Sequence, residues 1–212
     1  MNRHPIDPTR STVATAFAAL QQQVAVAAKA RLTPSSAPLI IGASKSQPAS
    51  VLEEALGAGL RQFGENKVQE AQSKWPALKA AHPDLVLHLI GSLQSNKAAD
   101  AVANEAAKQG RAVKVLIQVN TGEEPQKGGV IPRELPDLIA HYQKNKLPGL
   151  QGLMCVPPAD VNPAPHFALL QKIAAEHGLP WLSMGMSGDF ETAIRFGATH
   201  VRIGTALFGE RN

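Results

Sequence analysis

From Leu39 onward the chain alternates two patterns. Short runs dense in large apolar residues read as buried strands. Longer stretches with apolar residues every third or fourth position read as amphipathic helices packed on one face. The spacing predicts strands over 39–45, 61–66, 85–91, 113–120, 150–156, 181–186 and 199–203, and helices over 49–59, 67–80, 97–109, 133–144, 163–177 and 189–196. Ahead of them, Val13, Phe17, Leu20, Val24 and Ala27 mark one amphipathic helix over about 9–31, opened by Pro8 and Thr9. A loop over 32–38 joins it to the first strand.

Repeated strand–helix units with short connections imply an α/β fold with a parallel sheet covered by helices. Two architectures satisfy that pattern, a closed TIM-type (β/α) barrel and an open doubly wound sheet. No Gly-x-Gly-x-x-Gly follows the first strand, which counts against a dinucleotide-binding sheet and favours the barrel. Only seven strands can be counted, one fewer than such a barrel uses. No boundary divides the chain, so a single domain over 1–212 is expected: the N-terminal helix, then the barrel over about 39–210.

Composition narrows the function classes. With 212 residues, 44% hydrophobic and 18% charged, the chain has an ordinary soluble make-up. The net charge of +4 is spread among acids, and two Trp, one Tyr and six Phe leave little for base stacking, so a nucleic-acid face is not expected. The single Cys155 lies in an apolar run and excludes an internal disulfide; it reads as a buried thiol. The seven histidines are dispersed without a His-x-x-x-His pair, so no metal is expected. There is no Gly-x-Ser-x-Gly elbow and no P-loop. The first residues, Met-Asn-Arg-His-Pro, do not open a signal peptide, and no apolar stretch is long enough for a bilayer; no membrane contact and a cytoplasmic location are the expectation.

Parallel α/β folds keep their sites at the carboxyl ends of the strands. The residues falling there are Lys45, Asn66, Gly91, Asn120, Pro157, Ser187 and the pair Gly204-Thr205. Lys45 ends the apolar run Leu39-Ile40-Ile41-Gly42-Ala43-Ser44. It is either a solvated lysine at a strand end or an amine that neighbours desolvate and free to condense with an aldehyde. Ser187-Gly188-Asp189 can cap the helix that follows, and its free N–H groups suit an anion; Gly204-Thr205 offers a second such turn. Two turns in consecutive last loops, opposite a lysine, suit a phosphate ester that carries an aldehyde. Arg202 lies inside a strand and needs a carboxylate or a ligand acceptor unless it reaches solvent. His88 reads as a satisfied core histidine, and 121–129 as a solvated, mobile loop able to serve as a lid.

Several of these pieces together resemble one family. They are Gly42-Ala43-Ser44-Lys45, Phe63-Gly64-Glu65-Asn66-x-Val68-Gln69-Glu70, His88-x-Ile90-Gly91-x-Leu93-Gln94-Ser95-Asn96-Lys97, Gly152-Leu153-Met154, Ser183-Met184-Gly185-Met186-Ser187 and Val201-Arg202-Ile203-Gly204-Thr205-x-x-Phe208-Gly209-Glu210-Arg211. The set, spanning about 39–211, resembles the pyridoxal phosphate homeostasis proteins. The resemblance implies a barrel like the N-terminal domain of alanine racemase, with pyridoxal 5′-phosphate (PLP) held as a Schiff base on Lys45. It further implies Ser187, Gly204 and Thr205 at the phosphate, Arg202 near the pyridine nitrogen and Asn66 beside the ring.

An arginine at that nitrogen makes the cofactor a weaker electron sink than a carboxylate partner would. A racemase of this type takes a tyrosine acid/base from a second domain across a dimer, and the only tyrosine here, Tyr142, falls in a helix expected at the surface. A carrier of PLP in vitamin B6 homeostasis, without turnover, is therefore the implied function. Its partners are PLP and apo forms of PLP-dependent enzymes, and its state a monomer or weak dimer. The alternatives are a PLP-dependent amino-acid racemase or lyase, and a barrel enzyme binding another phosphate ester. Two stretches depart from the family pattern: 97–113 is short by about one strand and its turn, and the loop after Asn120 is worded differently.

Overall fold

A computed structural model describes residues 12–31, 37–91, 96–145, 147 and 149–210, with 96–100 and 103 described by backbone alone. Its strands are β1 (Leu39–Ala43), β2 (Gln62–Glu65), β3 (Val86–Leu89), β4 (Val115–Gln118), β5 (Leu150–Met154), β6 (Trp181–Ser183) and β7 (His200–Ile203). Its helices are α1 (Val13–Lys29), α2 (Ala49–Gly57), α3 (Val68–Ala81), α4 (Asn96–Lys108), α5 (Leu135–Lys144), α6 (Ala164–Glu176), α7 (Phe190–Arg195) and α8 (Thr205–Phe208), with a 3-10 turn over Pro132–Glu134 before α5. Every expected element is present. The strands are shorter than the apolar runs because the ladder stops before the side-chain pattern does: β1 ends at Ala43, leaving Lys45 in a turn. The one-turn helix α8 was not expected. The expected start of α1 at Pro8 and Thr9 lies outside the described residues; within them, Thr12 caps the helix through its hydroxyl.

All seven strands run parallel in the order β3-β2-β1-β7-β6-β5-β4. The last strand lies beside the first, the contact that closes a barrel. The break falls between β3 and β4, consecutive in the chain yet unpaired among the described residues, with α4 carrying the chain from one to the other. The result is a TIM-like half-barrel one strand short, and the missing strand belongs where the 97–113 segment is too brief to supply it.

Helices cover the outer face. Phe63, Leu52, Leu153, Phe167, Leu170, Ile194 and Ile203 are fully buried between sheet and helices, each worth about 1.5–3 kcal/mol in area removed from water. The five apolar positions of α1 are all buried, and the helix packs on α2, α7 and α8. Glu54 Oε1 accepts the Val13 N–H at 2.8 Å, satisfying a donor that the first helical turn leaves open.

The floor of the half-barrel is a stack of polar and aromatic side chains. Lys114 Nζ sits 4.9 Å from the Trp181 ring centre, Trp181 lies 4.7 Å from His200, and His200 lies 6.3 Å from His88. His88 Nε2 is 2.7 Å from Gln62 Oε1, so His88 is satisfied as expected, but half-buried rather than in the core. Burial, followed by His88 and Lys114, pushes the His200 pKa from 6.5 down to about 4; burial alone lowers that of His88. Between those two values the unfolded chain binds the proton that folded His200 refuses, so stability rises with pH across the window and is lost as pH falls through it. The denaturant midpoint should drop steadily from about pH 6.5 to 4, and His200→Asn should flatten that slope; a wild-type midpoint constant over the window would contradict the neutral floor.

Candidate functional site

The strand register brings most of the residues singled out in the sequence to one rim. Ala43 of β1 pairs with Gly64 of β2, so Lys45 and Asn66 each lie two residues beyond a paired position on adjacent strands. Ile41 and Gly42 pair with Arg202 and Ile203 of β7. A side chain on Gly204 would sit 3.6 Å from Ala43 Cβ, which puts the β7–α8 turn beside the approach to Lys45. On the other side of β7, the Arg202 N–H donates to Gly185 O at 2.9 Å, two residues before Ser187.

Lys45 occupies a tight turn. The Gln47 N–H donates to Ser44 O at 3.1 Å, placing Lys45 and Ser46 at the two central positions. Ser46 has φ of +63°, the left-handed conformation that the second central residue of a type II turn adopts and that glycine usually supplies. Ser44 is buried, its N–H donating to Gly64 O at 2.9 Å and its Oγ to Glu65 Oε1 at 2.9 Å. The Lys45 amine has no hydrogen-bond or ion-pair partner among the described residues, and the side chain is half-buried. The desolvation anticipated from the strand's neighbours is therefore incomplete, because the strand ends before the lysine.

Asn66 follows β2 directly and its side chain is exposed. The backbone there is packed closely: a Cβ on Gly91 would collide with Asn66 O, so only glycine lets the end of β3 pass this position.

Arg202 is 6% exposed in the middle of β7. Its Nη1 donates to Ser183 O and Ser183 Oγ, both at 2.8 Å, and its Nη2 to Cys155 O at 2.9 Å. No carboxylate pairs with it among the described residues, and its Nε has no partner there. Of the two partners anticipated, a carboxylate or a ligand acceptor, the first is absent among the described residues; two main-chain carbonyls and a hydroxyl take the guanidinium instead, which the sequence could not reveal because a carbonyl's direction depends on the sheet. Burial pulls the Arg202 pKa below its usual value, opposed by Cys155 and Asp189. Cys155 is fully buried, and burial, partly offset by Arg202, pushes its thiol up to about 12, so it stays protonated as a structural group.

The two anion turns meet. Ser187 Oγ accepts the Ala206 N–H at 3.2 Å, linking the turn before α7 to the first turn of α8. The expected cap is displaced by two residues: Asp189, not Ser187, occupies the N-cap of α7, and its Oδ1 accepts the Met186 N–H at 2.6 Å. Thr205 opens α8 and is exposed. A cavity of about 380 Å³ lies beside this junction, its lining including Ser187, Gly188, Thr192, Ala206 and the two carboxylates Asp189 and Glu191, and neither Lys45 nor Arg202 lines it.

Other expected rim residues are committed to structure. Asn120 Nδ2 donates to Glu124 O at 2.8 Å while its Oδ1 accepts the Glu124 N–H at 3.2 Å. Lys127 pairs with Glu124 at 2.6 Å and donates to Pro157 O at 3.0 Å. The 121–129 loop is thus pinned at several points, and the mobile lid anticipated there is not what these contacts describe. Tyr142 is 6% exposed, buried on α5 rather than on the surface. Among the described residues no group of His, Cys, Asp and Glu could hold a metal, and no helix is long and apolar enough to cross a membrane.

Residues 18–212 match the family model described as alanine racemase, N-terminal domain. The pyridoxal phosphate homeostasis protein of Aquifex aeolicus is 42% identical over 199 residues, covering 81% of this chain and 86% of the relative. That alignment is longer than the share of this chain it covers, so the relative carries residues without a counterpart here, in keeping with the short 97–113 segment. Among solved structures, PipY of Synechococcus elongatus with PLP bound superposes with a TM-score of 0.79 at 33% identity, covering 93% of this chain and all of that one. Alanine racemase from Corynebacterium glutamicum shares the fold, with a TM-score of 0.63 at 18% identity over 93% of this chain and 62% of the enzyme. By motif, fold and relatives alike, the chain belongs to the pyridoxal phosphate homeostasis proteins, within the alanine racemase N-terminal domain family.

Proposed function

We propose that this protein binds PLP as a Schiff base on Lys45, holding it reversibly without turnover. It thereby buffers the free aldehyde or passes it to apo forms of PLP-dependent enzymes. The observation that carries the reading is a primary amine with no partner among the described residues, just past the end of β1, with a buried arginine on the neighbouring strand β7 that pairs with no carboxylate among them. The names of the relatives and the PLP in PipY support it.

The residues fit the group. PLP supplies an electrophilic aldehyde, a pyridine nitrogen and a phosphate dianion. Lys45 offers a primary amine at the centre of a turn, with no ion-pair partner among the described residues. Arg202 offers an Nε–H with no hydrogen-bond partner among the described residues; a hydrogen-bond acceptor such as a pyridine nitrogen would satisfy it. A guanidinium gives up no proton at working pH, so the nitrogen it faces remains an acceptor. Ser187 and the Gly204-Thr205 turn bring a hydroxyl and main-chain N–H groups to one place, and the bare Cα of Gly204 leaves room for phosphate oxygens. Asn66, exposed beside Lys45, flanks the ring.

Racemisation needs a proton donor on each side of the reacting carbon. The only tyrosine of the chain is buried in the helical layer on α5, so this chain brings no phenol to the rim. With an arginine rather than an acid at the ring nitrogen, both features favour holding the cofactor over turning it over.

Lys45→Ala should abolish the visible imine absorbance and the pyridoxyl peptide recovered after borohydride reduction, while circular dichroism and melting temperature stay unchanged. An adduct mapping to another lysine would reassign the site. Arg202→Ala should weaken PLP binding and lower stability by about 3 kcal/mol, since it leaves the buried Cys155 carbonyl and the Ser183 hydroxyl without their donor; titration and urea denaturation read the two effects separately. Holo-protein incubated with single-enantiomer amino acids in deuterated water should show no sustained α-proton exchange; exchange or inversion would make it a racemase or lyase.

A further inference from the structure

We propose that Glu70, braced by Lys74, is a positioning residue that holds the Lys45 turn in its left-handed form and so aims the amine. The inference rests on Lys45 being the PLP-bearing residue and adds to it a part of the site on α3, a helix that contributes nothing else to the rim.

The contacts enclose Lys45 on both flanks. Glu70 Oε1 accepts the Ser46 N–H at 2.6 Å, on the residue immediately after the lysine. Lys74 Nζ lies 2.8 Å from Glu70 Oε1 and 2.8 Å from Glu65 Oε1, and donates to Ser44 O at 3.1 Å, on the residue immediately before it. Gln47 O lies 3.5 Å from the same ammonium. The three near acceptors use all three protons of Lys74. Ser44 and Ser46 are thus tied to α3 while Lys45 between them is left without a partner. The Lys74 hydrogen bond and the Ser46 N–H hold the Glu70 carboxyl below the usual carboxylate range, so the clamp is charged at neutral pH.

The clamp answers a local cost. Serine at φ of +63° pays for a left-handed backbone that glycine adopts freely. In this turn the N–H of the second central residue points away from the turn's own hydrogen bond, and a carboxylate on it favours that orientation. Without Glu70, Ser46 relaxes toward negative φ and the direction of the preceding side chain changes with it. Lys74 cannot serve as the probe, because its loss would leave buried Glu65 uncompensated. Glu70 is partly exposed, and its removal leaves the Lys74–Glu65 pair intact.

The test uses the full-length protein with PLP. Glu70→Ala should raise the PLP dissociation constant about tenfold to a hundredfold, with the melting temperature within about 2 °C of wild type. Glu70→Gln, which keeps an oxygen for the Ser46 N–H, should recover most of the affinity. Ser46→Gly in the Glu70→Ala background should recover several-fold, because glycine reaches the turn conformation unaided. That rescue also serves if Glu70→Ala alone folds poorly, and a merely structural role would not produce it. Wild-type affinity in Glu70→Ala, or no rescue by either companion, would overturn the clamp while leaving Lys45 as the site. A wild type that gives no borohydride-fixed adduct on Lys45 would instead remove the parent reading.

Discussion

A buried guanidinium that pairs with no carboxylate among the described residues is the constraint around which this half-barrel is arranged. Arg202 spans three strands, drawing the carbonyls of Ser183 and Cys155 and the hydroxyl of Ser183 toward β7. Taking such a charge out of water costs several kcal/mol, which charge-assisted hydrogen bonds recover only if their geometry is fixed. The strand ends must therefore hold their relative heights, and with them the turns that leave β6 and β7. An apolar residue at 202 would pack at less cost. That the chain carries an arginine there, with Nε left over, makes sense when a further acceptor shares the pocket.

The strand missing between β3 and β4 removes surprisingly little. In the order β3-β2-β1-β7-β6-β5-β4, the proposed PLP residues fall on or just after β2, β1, β6 and β7, four neighbours at the centre of the sheet. Both free edges lie outside that group. Each site strand keeps both of its ladder partners, so its end is positioned as it would be in a closed barrel.

Much of this was legible in the sequence, for identifiable reasons. Seven apolar runs set seven strands, and a charge inside one of them, Arg202, announced itself by its cost. Lys45 stood out because a lysine closes an otherwise apolar run. What stayed hidden depends on backbone direction. The sequence does not say that Ser183 and Cys155 turn carbonyls toward Arg202, that Asp189 rather than Ser187 caps α7, or that Asn120 spends its amide on Glu124. Other misses left a signal unread. Leu135, Ile139 and Tyr142 lie at four- and three-residue spacing, the mark of one buried face. Glu70 and Lys74 stand four apart, the spacing of a helical ion pair.

The proposed reading makes the site one for custody of a cofactor rather than chemistry on it. An enzyme of this kind gains by sealing its lysine from water and flanking it with proton donors. Here the lysine is half-buried at an open rim, and nearby polar groups are spent on posture: Glu70 on Ser46, Lys74 on Ser44, Asn120 on its own loop. An imine reachable by water or by another amine is one that can be undone. For the proposed carrier, which would take up a reactive aldehyde and later release it, that exposure is a requirement, and rigid placement of the amine would compensate in affinity for what enclosure would have supplied.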